Sequence, residues 1–303
     1  MIKKIGNVIL ETNYYSGMDL YSDGQIEDEI LEIVKNRNEF TDIIASDNRW
    51  PILYHLSPER HNLLEWMDFR GKKVLEIGAG CGAITTLLVD KAEKVVATEL
   101  SLKRAEITAY RCKKYSNLRI IVGDFNDIKF SEKFDVITVI GVLEYAGIYS
   151  NDINAYESFL KKVYECLNPN GTIVVAIENK FGLKYWAGAR EDHTGLMFDG
   201  LQNYYVSKSN IKTFSRKELE KLLNLSGFRN HRFYYPYPDY KLPKQIFSDD
   251  FLPSIGQIIG NTPNYDNDRF QLFDEQLVID NIIDNNVFPF FSNSFLITAE
   301  RID

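Results

Sequence analysis

The stretch Val74–Leu88, VLEIGAGCGAITTLL, constrains this chain more than any other. Val74-Leu75-Glu76-Ile77 has the composition of a short buried strand. Gly78, Ala79, Gly80, Cys81 and Gly82 make a small-residue turn, and Ala83–Asp90 carries the apolar spacing of a helix. Strand, glycine turn and helix in that order bring main chain close to a nucleotide, with a helix N-terminus facing it. The stretch therefore predicts an α/β sheet protein with a nucleotide or nucleoside ligand.

Glu76 narrows the ligand. A carboxylate two residues before the first glycine repels a pyrophosphate and suits a cationic, amino-bearing group. That favours S-adenosylmethionine (SAM) over NAD. Gly78, Gly80 and Ala83 nevertheless also satisfy the dinucleotide spacing. Glu99, closing the strand KVVATE, is placed to accept both ribose hydroxyls, a feature common to NAD and SAM proteins. Asp124-Phe125, after the next strand, offers an acceptor for an adenine amino group and a ring to pack on the base.

Around this unit the strand–helix alternation is regular. Strands are expected at 94–99, 118–122, 134–140 and 172–177, with helices at 101–113 and 155–167. Asn168-Pro169-Asn170-Gly171 reads as a turn before the last of these strands. Upstream, Ile26–Asn36 has an apolar face and an acidic first turn, as an amphipathic helix docked on a core would. Trp50-Pro51 reads as a break, and Ser57-Pro58 as the capped start of a helix running to about Trp66.

The second half loses the rhythm. Long insertions are expected at about 179–213 and 239–291, around a helix from Ser215 and two late strands, HRFYYPYP and SFLITAERI. These two strands are expected to pair antiparallel at the sheet edge, with the second insertion as a lid. Residues 1–60 read as an N-terminal cap and 61–303 as the main domain.

Composition excludes some function classes. The chain has 303 residues, 45% hydrophobic and 26% charged, with a net charge of −8. No lysine- and arginine-rich stretch tracks a phosphate backbone, which argues against nucleic acid as partner. The apolar runs are strand-sized, so no membrane insertion is expected, and the N-terminus does not look like a signal peptide. Three cysteines, Cys81, Cys112 and Cys166, fit reduced, buried thiols of a cytoplasmic protein. No histidine, cysteine or acidic spacing defines a metal site.

The run FDVITVIGVLEYA resembles the fourth-strand motif of class I SAM-dependent methyltransferases. VLEIGAGCG, ATELS, GDF and LNPNGTIVVAIEN match that family in order and spacing, from about residue 60 to 180. The resemblance implies a Rossmann-like, seven-stranded, mostly parallel sheet, with HRFYYPYP and SFLITAERI as sixth and seventh strands. It implies that Gly78, Ala79 and Gly80 pack on the amino acid part of SAM, and that Glu76 orders that loop or reaches the ammonium through water. Glu99 and Leu100 would take the ribose, Asp124 and Phe125 the adenine, and Ile140, Gly141 and Val142 the methionine portion.

IENKFGLKYWAG, EDHTG, TFS, YYPYPDYKLP, YSDGQIEDEI and WPILYHLSP are similar to methyltransferases found among bacterial cell-surface polysaccharide and glycosyltransferase genes. This implies a sugar or glycan-related small-molecule acceptor, through a hydroxyl before an amine, and a glycosyltransferase as candidate partner. Glu191-Asp192-His193 lies in the insertion expected to border the acceptor. His193 reads as a general base with a flanking acid orienting its ring, or alternatively as a loop histidine bonded to its own backbone. Tyr234, Tyr235, Tyr237, Asp239, Tyr240 and Lys241 form an aromatic, partly charged cluster suited to a sugar or nucleoside, or to plain packing. An NAD-dependent oxidoreductase and a non-catalytic SAM-fold module remain as alternatives, and the oligomeric state is not encoded legibly.

Overall fold

A computed structural model describes residues 1–148, 154–263 and 268–302. The chain divides into two compact units, Met1–Val139 with Glu165–Ile173, and Ile140–Tyr164 with Val174–Ile302.

The first unit contains β1 (Ile2–Ile5), β2 (Val8–Tyr14), α1 (Ile26–Asn36), α2 (Thr41–Ser46) and α3 (Trp50–Leu56). It continues with β3 (Lys73–Ile77), α4 (Thr85–Lys91), β4 (Lys94–Glu99), α5 (Leu102–Arg111), β5 (Leu118–Gly123) and, up to Val139, β6 (Phe134–Ile140). Strand β3 pairs in parallel with β4 and β6, and β5 pairs in parallel with β4 and β2. Val74, Leu75, Val95, Ile120 and Ile137 are all fully buried. Such continuous apolar strands are what a sheet covered on both faces requires. On one face Ile30, Val34, Ile52, Leu56, Cys81 and Ile107 form a single core patch joining α1, α3 and α5.

The second unit takes α6 (Ala155–Cys166) up to Tyr164 and the later half of β7 (Leu167–Glu178). It adds α7 (Leu183–Trp186), α8 (Arg216–Leu225), β8 (Phe228–Tyr237), β9 (Gln245–Ser248), α9 (Glu275–Asp284), α10 (Phe288–Phe291) and β10 (Ser294–Arg301). Strands β8 and β10 pair antiparallel, as the sequence leads one to expect, with Leu296 opposite Tyr234. Phe233, Tyr235, Phe247, Phe288 and Phe295 fill the core here through edge-to-face contacts, each worth about 0.5–1.5 kcal/mol beyond area burial. Ser215 and Glu218 close a reciprocal capping box on α8.

Five local expectations need correction. The strands number ten, not seven, in the order β1-β2-β5-β4-β3-β6 in the first unit and β7-β10-β8-β9 in the second. The additions are the N-terminal hairpin and β9. The hairpin turns on Gly6-Asn7, with Ile5 opposite Val8. Gly6 has φ 58° and a Cβ there would meet Lys113 O at 2.2 Å, so only glycine fits. That dipeptide was a hairpin signal, obscured by a four-residue first strand. Trp50-Pro51 does not break the chain, because Pro51 sits in the first turn of α3, where its missing N–H costs nothing. The segment from Ser57 forms a 3-10 turn over Pro58–Leu63 instead of a helix to Trp66, capped by Ser57 Oγ on the Glu59 N–H at 3.2 Å. Asn168–Gly171 bends β7 without ending it, with Asn170 at φ 61°. Cys166 is also only half-buried, unlike Cys81 and Cys112.

No helix among the described residues is long and apolar enough to cross a membrane.

Candidate active site

The residues expected to hold the cofactor sit where β3, β4 and β5 end. Gly78, Gly80 and Gly82 adopt φ of 76°, 55° and 79°, a run that side chains resist. A Cβ on Gly82 would come within 2.9 Å of Thr108 Oγ1, so that glycine lets the turn lie against α5. A Cβ on Gly80 would meet nothing within 4 Å, so the open side of the turn is at Gly80. The turn is tied down from three directions. Gly78 and Ala79 donate their N–H groups to Thr98 O at 3.0 Å, and Thr108 donates to Gly80 O at 2.9 Å. Glu99 accepts the Gly80 N–H at 2.7 Å through one oxygen and the Ser101 N–H at 3.0 Å through the other.

A carboxylate has about four acceptor directions, so Glu99 keeps capacity for two hydroxyls. Burial raises its pKa. Glu76, one residue before the end of β3, is 4% exposed, and its Oε2 has no hydrogen-bond partner. Burial pushes its pKa up to about 7. An ammonium group brought by a ligand at the open turn would satisfy that oxygen. Both acids and the Gly80 opening therefore fit a ligand with an amino acid end and a ribose. Leu100 and Asp124 are half-buried beside them. Asp124 Oδ1 accepts the Asn126 N–H at 2.8 Å, and Phe125 is 5% exposed with its ring tilted onto Phe130.

The N-terminal residues lock onto the start of α5, directly after Glu99. Asp19 accepts the Leu102 N–H at 2.7 Å. Arg104 pairs with Glu27 at 2.7 Å and Asp23 at 2.9 Å, and His55 meets Asp23 at 2.7 Å. The sequence signal for this network was the acidic first turn of α1.

Glu76 yields a test. An acid whose pKa is higher in the folded chain binds its proton more tightly there. Folding stability therefore falls as pH rises from about 4.5 to about 7, by up to about 3 kcal/mol. Glu76→Gln removes the titration. In ligand-free protein its melting temperature should gain on the parent at pH 8 relative to pH 5; an equal offset at both pH values overturns the assignment.

The second unit holds a different cluster. Ile140, Gly141 and Val142 open it, half-buried, and lead to Glu144, which is 1% exposed. Glu178 is the last residue of β7 and is also 1% exposed. In open α/β sheets, ligands bind outside the carboxyl ends of strands. His193 joins these two acids: one ligand atom from each of Glu144, Glu178 and His193 lies within 4.8 Å of the others. Its Nδ1 is 3.0 Å from Glu191 Oε1 and its Nε2 is 3.8 Å from Glu144 Oε1, while its ring stands edge-on to Tyr145.

Glu191 is fixed in turn, accepting the N–H groups of His193 at 2.8 Å and Thr194 at 2.7 Å and the Tyr204 hydroxyl at 3.2 Å. Asp192 points elsewhere, to Lys241 at 2.6 Å, Lys184 at 2.9 Å and the Tyr185 hydroxyl. Lys241 also reaches Glu178 Oε1 at 2.8 Å, and Tyr240 donates to the same oxygen at 3.3 Å.

The charges respond to these neighbours. Burial disfavours an imidazolium at His193, but the carboxylates of Glu144 and Glu191 outweigh it and raise the pKa well above the usual value. Burial raises Glu144. Against burial, Lys241 holds Glu178 low, and Lys184 with Lys241 holds Asp192 well below the usual carboxylate range. The sequence reading passed over Glu144, Glu178 and Lys184. The available signal was an acid at the end of a strand, as at Glu99.

Gly141 packs under this cluster, with φ 67° and an ideal Cβ 2.9 Å from the Tyr240 hydroxyl. Gly141→Ala should destabilise the protein by about 1–2 kcal/mol from backbone strain alone, and should displace Tyr240 from Glu178. Urea unfolding checks this, and an unchanged midpoint refutes it.

Parallel strands with a glycine turn after the first and acids at the strand ends define a Rossmann-like, nucleoside-binding class of enzyme. The family model "Methyltransferase domain" matches residues 68–219, and the chain belongs to that family as a SAM-dependent methyltransferase. It is similar to "Ribosomal RNA small subunit methyltransferase A" of Borrelia garinii subsp. bavariensis, 31% identical over 226 residues, covering 72% of this chain and 75% of that protein. It is also similar to "Demethylmenaquinone methyltransferase" of Tropheryma whipplei (strain Twist), 30% identical over 108 residues, covering 35% of this chain and 41% of that one. Among solved structures, Haemonchus contortus phosphoethanolamine N-methyltransferase 1 shares the fold at TM-score 0.50 and 14% identity, over 93% of this chain and 50% of that one.

Proposed function

We propose that the chain moves the SAM methyl group to a hydroxyl of a small, sugar-like acceptor, and that Glu144, Glu178 and His193 receive that acceptor. One observation carries the reading. Glu144 and Glu178 each keep one buried oxygen without a partner, although both residues are 1% exposed. Leaving such oxygens unpaired is costly, and hydroxyl donors of a polyol relieve it.

The cofactor supplies the methyl group as an electrophile, and the chain must align the acceptor and dispose of a proton. In this reading the Glu144–His193 pair takes up the hydroxyl proton, Glu191 holds the imidazole ring, and Asp192 is the acid that positions Lys184 and Lys241. Tyr240 and Lys241 supply donors for further acceptor oxygens. The second-half motifs support a setting in cytoplasmic glycan assembly, beside a glycosyltransferase. The net charge of −8 counts against RNA, whereas the likeness to a ribosomal RNA methyltransferase speaks for it.

The test is methyl transfer from labelled SAM to a panel of hydroxylated sugars, amines and a ribosomal RNA fragment. Label in the sugars supports the proposal. Label confined to amines or to RNA overturns the acceptor assignment.

A further inference from the structure

We infer that Glu144, Glu178 and His193 form a binding site for one first-row divalent cation, best matched by Mn²⁺. The three residues come from separate stretches of the second unit, the turn after β6, the end of β7 and the loop after α7. They nonetheless present three ligand atoms within 4.8 Å of one another. Ligands about 2.1 Å from a common ion stand roughly 3 to 4 Å apart in octahedral geometry, so only a small inward closure is needed.

Three further features point to a cation. First, Glu144 Oε2 and Glu178 Oε2 are buried and unpartnered, and the other oxygen of Glu178 is already held by Lys241 and Tyr240. Second, the imidazole is oriented as metal-bound histidines are, with Nδ1 against a carboxylate and Nε2 turned to the ligand atoms. That outer carboxylate, Glu191, is itself anchored by two backbone N–H groups and Tyr204. Third, the connected network sets the carboxylates of Glu144, Glu178, Glu191, Asp192 and Asp239 against three cationic groups, Lys184, Lys241 and His193. A divalent ion offsets that surplus.

Two carboxylates and one imidazole suit Mn²⁺ better than the all-oxygen sets of Mg²⁺ or Ca²⁺ or the thiolate-rich sets of structural zinc. Three protein ligands also leave coordination positions open. Resting on the acceptor reading above, those positions would take two adjacent acceptor oxygens, as in a vicinal diol.

The probe is Mn²⁺ alone, titrated into chelator-treated full-length protein and followed by the loss of its free-ion paramagnetic resonance signal. The expected result is one ion bound per chain, with affinity lowered at least tenfold in Glu178→Gln and in His193→Gln, while thermal unfolding shows both variants folded. No uptake by the parent protein overturns the inference, as does uptake unchanged in both variants. The two readings fail separately. Mn²⁺ binding without methylation of any hydroxylated acceptor keeps the cation site and removes the acceptor class. Sugar methylation undiminished by chelation, with no Mn²⁺ uptake, keeps the function and removes the site.

Discussion

Replacing His193 with alanine should lower turnover by about 10²–10⁴-fold and leave SAM binding intact. His193 is the residue through which Glu191 and Glu144 communicate, at 3.0 Å and 3.8 Å. Without its ring, Glu144 loses the group that balances its charge, in a site where both acids are almost fully enclosed. The loop itself should survive. Glu191 still accepts the backbone N–H groups of residues 193 and 194 and the Tyr204 hydroxyl, so the turn does not depend on the imidazole. Calorimetric titration with SAM and a single-turnover assay separate the two quantities. Full turnover in a variant that binds SAM normally removes His193 from the chemistry, whichever acceptor proves correct.

Glu99→Ala should weaken SAM binding at least 100-fold, roughly 2.7 kcal/mol. The carboxylate does two things at once: it closes the glycine turn through the Gly80 N–H, and it caps the entry to α5 through the Ser101 N–H. Bonds to a charged acceptor contribute about 1.5–3 kcal/mol each. The truncation therefore costs structure at the turn as well as the acceptor for a ribose. Glu99→Gln keeps one acceptor oxygen and should fall between parent and alanine variant. SAM and S-adenosylhomocysteine titrations of the three proteins, with melting temperatures alongside, provide the check. Unchanged affinity in a folded Glu99→Ala would mean that the acid serves only the turn.

The central strands were legible because their evidence is local. Lys94–Glu99 and Phe134–Ile140 are bounded in the structure as their apolar runs suggested. The positive φ values at Gly78, Gly80 and Gly82 follow from a turn that few other residues tolerate. The antiparallel pairing of the two late strands was legible too, but their expected edge position was not, because β9 pairs on the outer side of β8 and leaves both strands interior. Pro51 misled because proline has opposite meanings inside a helix and in its first turn, and only the placement of α3 decides between them. Asn168–Gly171 misled for a related reason: a residue at positive φ bends a strand as readily as it ends one.

What the sequence determined by itself, then, was the strand–glycine turn–helix unit, the acids that close its strands and the class of cofactor such a unit accepts. Each of these depends on residues a few positions apart, within reach of backbone geometry and hydrogen bonding. The meeting of Glu144, Glu178 and His193 was decided only by the tertiary structure. Glu144 reads as part of a turn, Glu178 as the end of a strand and His193 as a loop residue, and no periodicity links them. Strand pairing and the packing of the 179–213 insertion bring them within 4.8 Å. Burial then turns three ordinary side chains into a strongly coupled group, because charges removed from water interact far more strongly than the same charges at the surface.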